Sequence, residues 1–321
     1  MEFVTVIKPG LLTTVQDLGR RHYRIFGVSV SGVMDSVSFR LANILVGNDL
    51  NEAALELTLV GPRLQFNASG VIAITGADLT PLLNGQPIQM WKALKVQKGD
   101  ELHFVGCQYG ARSYIAFAGG VQVPMVMGSR STYVRGEYGG IDGRPLKAGD
   151  EIPIGTSRFQ FSQLHGRRIR PTDLPDFERE RPIQFILGPH HQEFTEQSIE
   201  TFIHSPYMVT NDSDRMGYRL QGAQLEHIKG ADIISDFITI GTIQVPGSGQ
   251  PIVHMADCGT SGGYTKLGVV IGVDIPYLAQ RKPGDRICFE PVEIEEAQEK
   301  WKFQERLISQ LELSANFIPI R

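Results

Sequence analysis

Short runs of apolar residues alternate with turn residues over most of this chain of 321 residues. Gly and Pro recur between the runs, as at Asn84-Gly85 and Gly139-Gly140. Short apolar runs bounded by turn signals predict β-strands. We expect strands at residues 3–7, 63–66, 71–75, 101–105, 113–118, 183–187, 252–255 and 267–273. The pattern is typical of a mainly β protein built of barrels or sandwiches.

Apolar residues at helical spacing occur in few places. Asp35 precedes the first such segment and is placed to cap a helix, and Gly47 follows it as a stop signal. The predicted helices cover residues 36–46, 191–203 and 294–313. The apolar stripe of the last helix is more typical of core packing than of a cofactor site.

A charged segment containing two prolines, residues 167–181, has no apolar period and predicts a linker. Residues 119–124 on one side of it are echoed by residues 241–246 on the other. Such internal similarity indicates two related domains. We therefore expect an N-terminal β-barrel domain at 1–166 and a C-terminal β-barrel domain, with the last helix, at 182–321.

The net charge, the cysteines and the lack of targeting signals exclude several classes of function and location. The net charge of −4 gives no basic field for nucleic acid, and the three cysteines form no disulfide framework. The N-terminus lacks the pattern of a signal peptide, and no apolar run approaches the roughly 18 residues of a membrane span. We expect a cytoplasmic protein that binds neither nucleic acid nor membrane. No zinc-type ligand spacing or phosphate-binding loop motif occurs, so no metal site is expected.

The segment 252–266 carries the densest group of reactive side chains. Its residues 259–263 formally match the G-x-S-x-G motif of hydrolases, but that motif needs a helix directly after it. A strand pattern follows here, which disfavours Ser261 as a nucleophile. Cys258 would be a nucleophile only with a depressed pKa, and a packed, inert thiol is the favoured interpretation.

Polar groups stand at the edges of five predicted turns. Arg suits carboxylate or phosphate oxygens, Asp can move or orient protons, and Lys can hold an anionic oxygen. Each group alone also fits a turn capped by its own side chain. Together they predict a site for a small polar substrate with a carboxylate or an amide. The catalytic candidates are Asp78, Asp214, Asp257 and Lys266, and the substrate-binding candidates are Asp35, Asn43, Arg130, Ser131, Arg215, Gln244, Gln250 and Tyr264.

These segments together resemble the KipA family, which comprises the C subunits of 5-oxoprolinases and is described as biotin-dependent carboxyltransferase-like. The resemblance covers nearly the whole chain in the same order. It rests on residues 7–20, 31–35, 41–48, 74–78, 112–120, 128–132, 213–217, 243–246 and 257–266. The chain departs from the family pattern at 258–265, and Ser235-Asp236-Phe237 stands where an acidic residue and a glycine are expected.

The resemblance implies two cyclophilin-like β-barrel domains, similar to one half of the carboxyltransferase region of urea carboxylase. It implies ATP-dependent opening of 5-oxo-L-proline to L-glutamate together with the A and KipI-like B subunits of 5-oxoprolinase, the ATP being bound by the complex. Two alternatives stay open. One is a biotin-dependent carboxyltransferase half acting on a urea-like amide, with biotin carried by another chain. The other is an antagonist of a histidine-kinase inhibitor.

Roles for the candidate residues follow from this expectation. Arg130 and Lys266 would hold anionic oxygens. The three aspartates, Asp78, Asp214 and Asp257, would position or deprotonate groups, and Gln244 and Gln250 would bond the amide. We expect the tips of Arg130, Asp78, Lys266 and Asp257 to share one cleft.

Overall fold

The structure, a computed structural model, describes residues 2–316 of the chain. By their contacts these residues group into two compact units. The first unit comprises residues 2–20, 31–178 and 306–316, and the second comprises residues 21–30 and 179–305. The predicted division into domains at 1–166 and 182–321, joined by a linker at 167–181, stays a prediction. Its outermost positions, 1 and 317–321, lie outside the described residues.

The first unit is built from two antiparallel sheets. Its strands are β1 (Glu2–Lys8), β2 (Leu12–Gln16), β3 (Ala54–Thr58), β4 (Arg63–Phe66), β5 (Gly70–Asp78), β6 (Pro81–Leu83), β7 (Gln86–Pro87), β8 (Ala93–Val96), β9 (Glu101–Phe104), β10 (Tyr109–Phe117) and β11 (Glu151–Ile154). One sheet has the order β11-β1-β4-β9-β6-β7, and the other has the order β2-β3-β10-β5-β8. The unit also contains helices α1 (Ser36–Leu45) and α2 (Phe161–Leu164), and 3-10 turns at Val134–Gly136 and Pro171–Asp173.

Burial along the strands explains this arrangement. In β4 the side chains of Leu64 and Phe66 are buried while Arg63 and Gln65 are exposed, as expected when one face of a strand meets the core. The central strand β5 is instead buried on both faces, because α1 also packs against it. Each fully buried aliphatic or aromatic side chain contributes about 1.5–3 kcal/mol. The core of this unit therefore lies between the sheets and under α1.

Local signals at both ends of α1 agree with the prediction. The Asp35 side chain accepts hydrogen bonds from the backbone N–H groups of Val37 and Ser38, which caps the helix. At the other end Gly47 has a φ of +71°. A Cβ atom at Gly47 would lie 2.6 Å from the Phe159 ring, so both the backbone angle and the packing need glycine there.

The second unit is built around one larger sheet. Its strands are β12 (Ile183–Leu187), β13 (Tyr207–Val209), β14 (Gly217–Gln221), β15 (Asp232–Phe237), β16 (Thr242–Gln244), β17 (Ile252–His254), β18 (Ser261–Tyr264), β19 (Lys266–Val270), β20 (Arg286–Ile287) and β21 (Phe289–Pro291). The main sheet has the order β20-β13-β14-β17-β16-β19-β12-β21, with β12 and β21 parallel, and β15 and β18 form a separate two-stranded ribbon. Helices α3 (Glu196–His204) and α4 (Ile275–Ala279) and 3-10 turns at Arg21–Phe26 and His191–Glu193 also belong to this unit. Helix α5 (Ile294–Asn316) has residues 294–305 in this unit and residues 306–316 in the first.

An aromatic cluster forms much of the core of the second unit. The rings of Phe202 and Phe289 stack with centroids 4.4 Å apart, and Phe185 meets Phe202 edge to face at 5.3 Å. Aromatic pairs in these geometries contribute about 0.5–1.5 kcal/mol beyond their buried area. Since Phe202 lies in α3 and Phe289 in β21, the cluster fixes this helix on the sheet.

Several predicted elements differ from the structure at one end; for example, the strand expected at 113–118 begins at Tyr109 and the helix expected at 294–313 ends at Asn316. The strand expected at 267–273 ends at Val270, because the Asp274 N–H bonds the Ile271 carbonyl in a turn that leads into α4. The helix expected at 191–203 begins only at Glu196, where the Thr195 hydroxyl caps it, and a 3-10 turn precedes it. The ribbon of β15 and β18 was not predicted, because its second strand contains two glycines.

The predicted fold class, mainly β with few helices in cyclophilin-like β-barrels, is confirmed for residues 2–316. Sheets account for most regular structure, and the longest helix is α5. Across the described chain no helix combines the length and the apolar character that a membrane crossing needs.

Candidate functional site

Two of the predicted aspartates hold backbone turns in the first unit. Asp35 is fully buried, and besides two backbone N–H groups it accepts the Ser38 hydroxyl at 2.6 Å. The Asp78 carboxylate accepts the backbone N–H of Thr80 at 2.7 Å. Both contacts correspond to the capped-turn alternative that isolated polar turn residues leave open.

Two other predicted residues of the first unit meet at Glu52. The buried amide of Asn43 donates to the Glu52 carbonyl at 2.8 Å and accepts the side chain of Asn48 at 2.9 Å. The Arg130 guanidinium donates to the Glu52 carboxylate at 3.3 Å and to the Gln122 side-chain oxygen at 3.0 Å. The structure therefore brings Asn43 and Arg130 to one residue that sequence reasoning did not identify.

The Asp17 carboxylate accepts several hydrogen bonds, most of them from the loop that contains the predicted Ser131. Its Oδ1 atom accepts the Gly19 N–H at 2.8 Å and the hydroxyls of Ser129 and Ser131, each at 2.6 Å. Its Oδ2 atom accepts the Arg130 N–H at 2.6 Å. A buried carboxylate needs such donors, and here they tie the loop to the end of β2. No sequence pattern indicated this role beyond the position of Asp17 in a segment that carries the family resemblance.

Arg215 and Asp257 form a buried ion pair in the second unit. Arg215 Nε lies 3.0 Å from Asp257 Oδ2, and Arg215 Nη2 lies 3.0 Å from Oδ1. The Asp257 N–H also donates to the Arg215 carbonyl at 2.7 Å. Removing one partner of such a buried pair costs about 3–5 kcal/mol. Since both carboxylate oxygens accept from one guanidinium, this pair is suited to positioning more than to proton transfer.

Asp214 and Gln250 take local roles in the second unit. Asp214 Oδ1 accepts the backbone N–H groups of Met216 and Gly217 at 2.7 Å and 3.2 Å. The Gln250 side chain accepts the Gly222 N–H at 2.8 Å and donates to the Gly222 carbonyl at 3.1 Å. Neither side chain contacts the other predicted residues through these bonds.

Gln244, Tyr264 and Lys266 are brought together on one face of the main sheet. The register of β16 against β19 places Gln244 opposite Lys266. The Gln244 amide donates to the Tyr264 carbonyl at 3.0 Å, so its oxygen is left to accept the Nε2 proton of His254 at 2.7 Å. This orients the buried Gln244 side chain and fixes His254 as its donor.

Lys266 is a buried charge with few partners. Its ammonium bonds the Asp236 carboxylate, and among residues 2–316 no other hydrogen bond of the ammonium is found. The side chain of Lys266 is 6% exposed, whereas that of Asp236 is 50% exposed. The hydrogen bond from Lys266 lowers the pKa of the Asp236 carboxyl. An ammonium has three donors, so two donors of Lys266 have no acceptor among residues 2–316.

The ribbon of β15 and β18 lies directly against this face. A Cβ atom at Gly262 would lie 2.4 Å from Ile238 Cδ1 and 3.0 Å from Gln244 Nε2. Glycine is therefore needed for β18 to approach Gln244 this closely. The other strand of the ribbon supplies Asp236, which places the partner of Lys266 above the same sheet face.

Burial shifts the pKa values of the Cys258 thiol near this cluster and of the His254 imidazole bonded to Gln244. Desolvation raises the pKa of the Cys258 thiol to about 11, which confirms the expectation of a packed thiol. Desolvation lowers the pKa of His254 to about 4, so its ring is neutral. Ser261 begins a strand and no helix follows it, so the nucleophile motif lacks its structural context here.

The cluster of Gln244, His254, Tyr264, Lys266 and Asp236 is the candidate site. Lys266 carries the positive charge that an anionic oxygen requires, and the bond from His254 orients Gln244 beside it. Sequence reasoning missed Asp236 as a partner and missed His254. The signal for Asp236 was its place in Ser235-Asp236-Phe237, where the family pattern expects an acidic residue followed by glycine.

The shared cleft of Arg130, Asp78, Lys266 and Asp257 stays a prediction, because the first two belong to one unit and the last two to the other. Within the first unit the bonds of Asp78 and Arg130 go to different partners. Over the part of the chain that the structure describes, no group of three or more His, Cys, Asp or Glu side chains is arranged to hold a metal ion.

Comparison with known proteins places these features in a family. Residues 26–291 match the model of the carboxyltransferase domain, subdomain A and B. The 5-oxoprolinase C subunit of Escherichia coli (strain K12) is 39% identical, covering 95% of this chain and 96% of that protein. The corresponding 5-oxoprolinase C subunit of Haemophilus influenzae is 37% identical, covering 88% of this chain and 89% of that protein.

A solved structure shows the same fold at greater evolutionary distance. The crystal structure of the K. lactis urea amidolyase superposes with a TM-score of 0.90 at 32% identity, covering 96% of this chain and 20% of that chain. The resemblance inferred from the sequence segments is confirmed. The chain belongs to the family of 5-oxoprolinase C subunits, whose members carry the carboxyltransferase domain.

Proposed function

We propose that this chain is the C subunit of a 5-oxoprolinase complex that opens 5-oxo-L-proline to L-glutamate with hydrolysis of ATP. The observation that carries the proposal is Lys266, a buried ammonium with two unused donors beside Gln244, in a chain similar to proteins named as 5-oxoprolinase C subunits. Burying a charge is costly unless it is paired and hydrogen-bonded, and an anionic ligand would supply partners that the described residues do not.

The chemistry requires stabilisation of charge on oxygen. The lactam is a resonance-stabilised amide, and negative charge grows on its carbonyl oxygen when water attacks C5. The substrate also carries a carboxylate at neutral pH. Lys266 binds one of these anionic oxygens, and Asp236 holds the ammonium from the other side. The Arg215–Asp257 pair positions the loop that follows β17.

Other chains complete the reaction. One 5-oxo-L-proline, one ATP and two waters give L-glutamate, ADP and phosphate, with the C5–N bond broken and the nitrogen protonated. We propose that the A and KipI-like B subunits form the complex with this chain, that ATP binds to the complex, and that the chain is active only there. ATP supplies activation of the amide, and this chain supplies substrate contacts through Lys266 and Gln244.

Reconstitution tests the proposal. Glutamate formation from 5-oxo-L-proline and ATP is measured with all three proteins and with this chain omitted. Lys266→Met should lower kcat/KM by about 100-fold, the size typical for one charge-stabilising donor. A rise in KM alone would assign Lys266 to the substrate carboxylate, and a fall in kcat would assign it to the developing oxyanion. Lys282→Met removes an exposed, ion-paired lysine and is the matched control.

The second candidate is a carboxyltransferase half that acts on a urea-like amide. The observation that favours it is the similarity over nearly the whole chain to part of a urea amidolyase. Biotin on another chain would then carry the carboxyl group. Avidin separates the two candidates, since it should abolish a biotin-dependent reaction and leave the ATP-dependent formation of glutamate unchanged. Full glutamate formation without this chain would reject the first candidate. The remaining candidates would then be a carboxyltransferase half and an antagonist of a histidine-kinase inhibitor. Measuring which partner the chain binds, a biotin-carrying protein or the kinase inhibitor, would distinguish them.

A further inference from the structure

A polar pocket of about 300 Å³ lies in the first unit, between the loops that follow α1, β10 and β11. Asp49 and Glu52 line it from the first loop, Gln122 from the second, and Gly155 and Arg158 from the third. Pockets of this size accommodate small molecules. The pocket shares no residue with the Lys266 cluster.

Glycines keep the floor of the pocket open. A Cβ atom at Gly155 would lie 2.2 Å from the Gly119 carbonyl oxygen, and a Cβ atom at Gly120 would lie 2.1 Å from Glu52 Cγ. Neither position tolerates a side chain without movement of its neighbours. The backbone of one loop therefore sits directly on another, and the Glu52 side chain is held in one place.

One oxygen of Glu52 is left for a ligand. Glu52 Oε1 accepts the guanidinium of Arg130 at 3.3 Å and the amide of Gln122 at 3.1 Å. Within residues 2–316 no hydrogen bond reaches Glu52 Oε2. The Glu52 side chain is 22% exposed and lines the pocket, so this oxygen can be reached by a ligand there. A carboxylate oxygen in that position favours a cationic N–H donor.

Arg158 provides the opposite charge at the mouth of the same pocket. Its guanidinium is paired with Asp49, and both side chains are largely exposed. Exposed ion pairs contribute little, so Arg158 can exchange Asp49 for another carboxylate. Asp49 raises the pKa of Arg158 through its hydrogen bond, and Glu52 adds a smaller effect of the same sign, which places Glu52 within electrostatic reach of Arg158.

The charges balance, and an apolar groove continues from the pocket. The carboxylates of Asp49 and Glu52 are balanced by Arg158, which lines the pocket, and by Arg130, which bonds Glu52 from outside it. The resulting zero net charge suits a zwitterion. Gln122 and Gly155 also line a wider groove of about 760 Å³, whose other walls include the half-buried side chains of Ile154, Phe159 and Phe161. A ligand with both charges at one end and an apolar group at the other fits this order of surfaces.

We propose that this pocket binds a free α-amino acid with an apolar side chain. The ammonium group donates to Glu52 Oε2, the carboxylate pairs with Arg158, and the side chain lies along Phe159 and Phe161. The site is separate from the Lys266 cluster to which the proposed oxoprolinase chemistry is assigned.

Calorimetric titration of the full chain without ATP tests the proposal. L-Phenylalanine and L-leucine should bind. N-acetyl-L-phenylalanine lacks the ammonium and L-phenylalanine methyl ester lacks the carboxylate, so each should bind at least tenfold more weakly. 5-Oxo-L-proline, whose ring nitrogen carries no charge, should also bind at least tenfold more weakly, which keeps this outcome distinct from the substrate site.

Three variants sharpen the result. Glu52→Gln and Arg158→Gln should each weaken binding of L-phenylalanine tenfold or more. Asp49→Asn should leave binding unchanged or tighten it several-fold, because it releases Arg158 from its present partner. Arg158 is exposed, so its variant tests the proposal even if Glu52→Gln disturbs the fold. The absence of binding at millimolar concentration, or equal binding by the parent chain and Arg158→Gln, would overturn the proposal.

Discussion

Asp17 and Lys266 are both buried charges, and they differ in how completely their hydrogen bonds are met. Four donors reach the two oxygens of Asp17, and they come from two backbone N–H groups and two hydroxyls. Lys266 has one acceptor in residues 2–316, the half-exposed Asp236. The Asp17 carboxylate therefore receives all its hydrogen bonds from residues of the first unit. The Lys266 ammonium has N–H donors without an acceptor among the described residues.

This difference separates a structural charge from a functional one. A buried charge with complete partners lowers the free energy of its unit, and its removal strands the donors around it. A buried charge with unused donors carries a desolvation cost that the fold alone does not recover. Stability and activity should therefore respond in opposite ways to changes at Asp17 and at Lys266.

Replacing Asp17 should have the largest effect on stability. In Asp17→Ala the N–H groups of Gly19 and Arg130 lose their acceptor, as do two hydroxyls, and we expect a loss of about 4 kcal/mol in the free energy of unfolding. Urea denaturation followed by circular dichroism measures this loss. Asp17→Asn keeps the shape and one acceptor and should lose less. If Asp17→Ala were as stable as the parent chain, the Asp17 carboxylate would not stabilise the loop that contains Ser129 and Ser131.

The buried imidazole of His254 gives the second effect, through pH. The pKa of His254 is about 4 in the folded chain against a reference of 6.5, so the unfolded chain binds a proton first as pH falls. The free energy of unfolding keeps its full contribution from the neutral His254 ring above pH 6.5. This contribution, about 3 kcal/mol, is lost as the pH falls from 6.5 to 4.

Urea denaturation between about pH 8 and pH 4.5 tests this linkage. His254→Gln should lose less stability over that range than the parent chain. His204→Gln removes an exposed imidazole and serves as the control. Parallel pH profiles for His254→Gln and the parent chain would show that His254 does not produce the acid sensitivity.

Removing the ammonium of Lys266 should have the smallest effect on stability. Lys266→Met keeps the length of the side chain and removes a desolvated charge, so we expect a change within about 1 kcal/mol or a slight gain. Asp236→Asn strands the ammonium and should destabilise more than Lys266→Met. Urea denaturation of both variants makes the comparison. The reverse order would mean that Lys266 is a structural charge like Asp17.

The pattern of apolar residues was sufficient for the main strands and for α1. The strands predicted at 63–66 and 183–187 coincide with β4 and β12, because each run is short and has turn residues beside it. The capping signals around α1 are local, so the sequence displays them directly. Where a local turn interrupts an apolar run, as after Val270 in β19, the predicted strand extends past the observed end.

The candidate site was harder to predict because its contacts are distant in sequence. Lys266 and Gln244 were identified as polar groups near turns, and the sheet register brings them together. Asp236 reaches Lys266 only because β15 pairs with β18, and neither strand has the apolar pattern of a predicted strand. Conversely, Asp35 and Ser131 are residue types that often line binding sites, but here their hydrogen bonds are structural. Asp35 caps the start of α1, and Ser131 bonds Asp17 within a loop.

The assignment of Arg21–Val30 to the second unit has a practical consequence for dissecting this protein. Within that unit the Ser29 hydroxyl donates to the Cys258 carbonyl at 3.0 Å, and the Arg24 guanidinium bonds the Ile238 carbonyl. A polypeptide trimmed to residues 179–316 would lack residues 21–30. It would therefore lose the hydrogen bonds that these residues make to the loop before β18 and to the residue after β15. Activity assays and binding studies should therefore use the intact chain, since a cut at the apparent midpoint would damage the neighbourhood of Lys266.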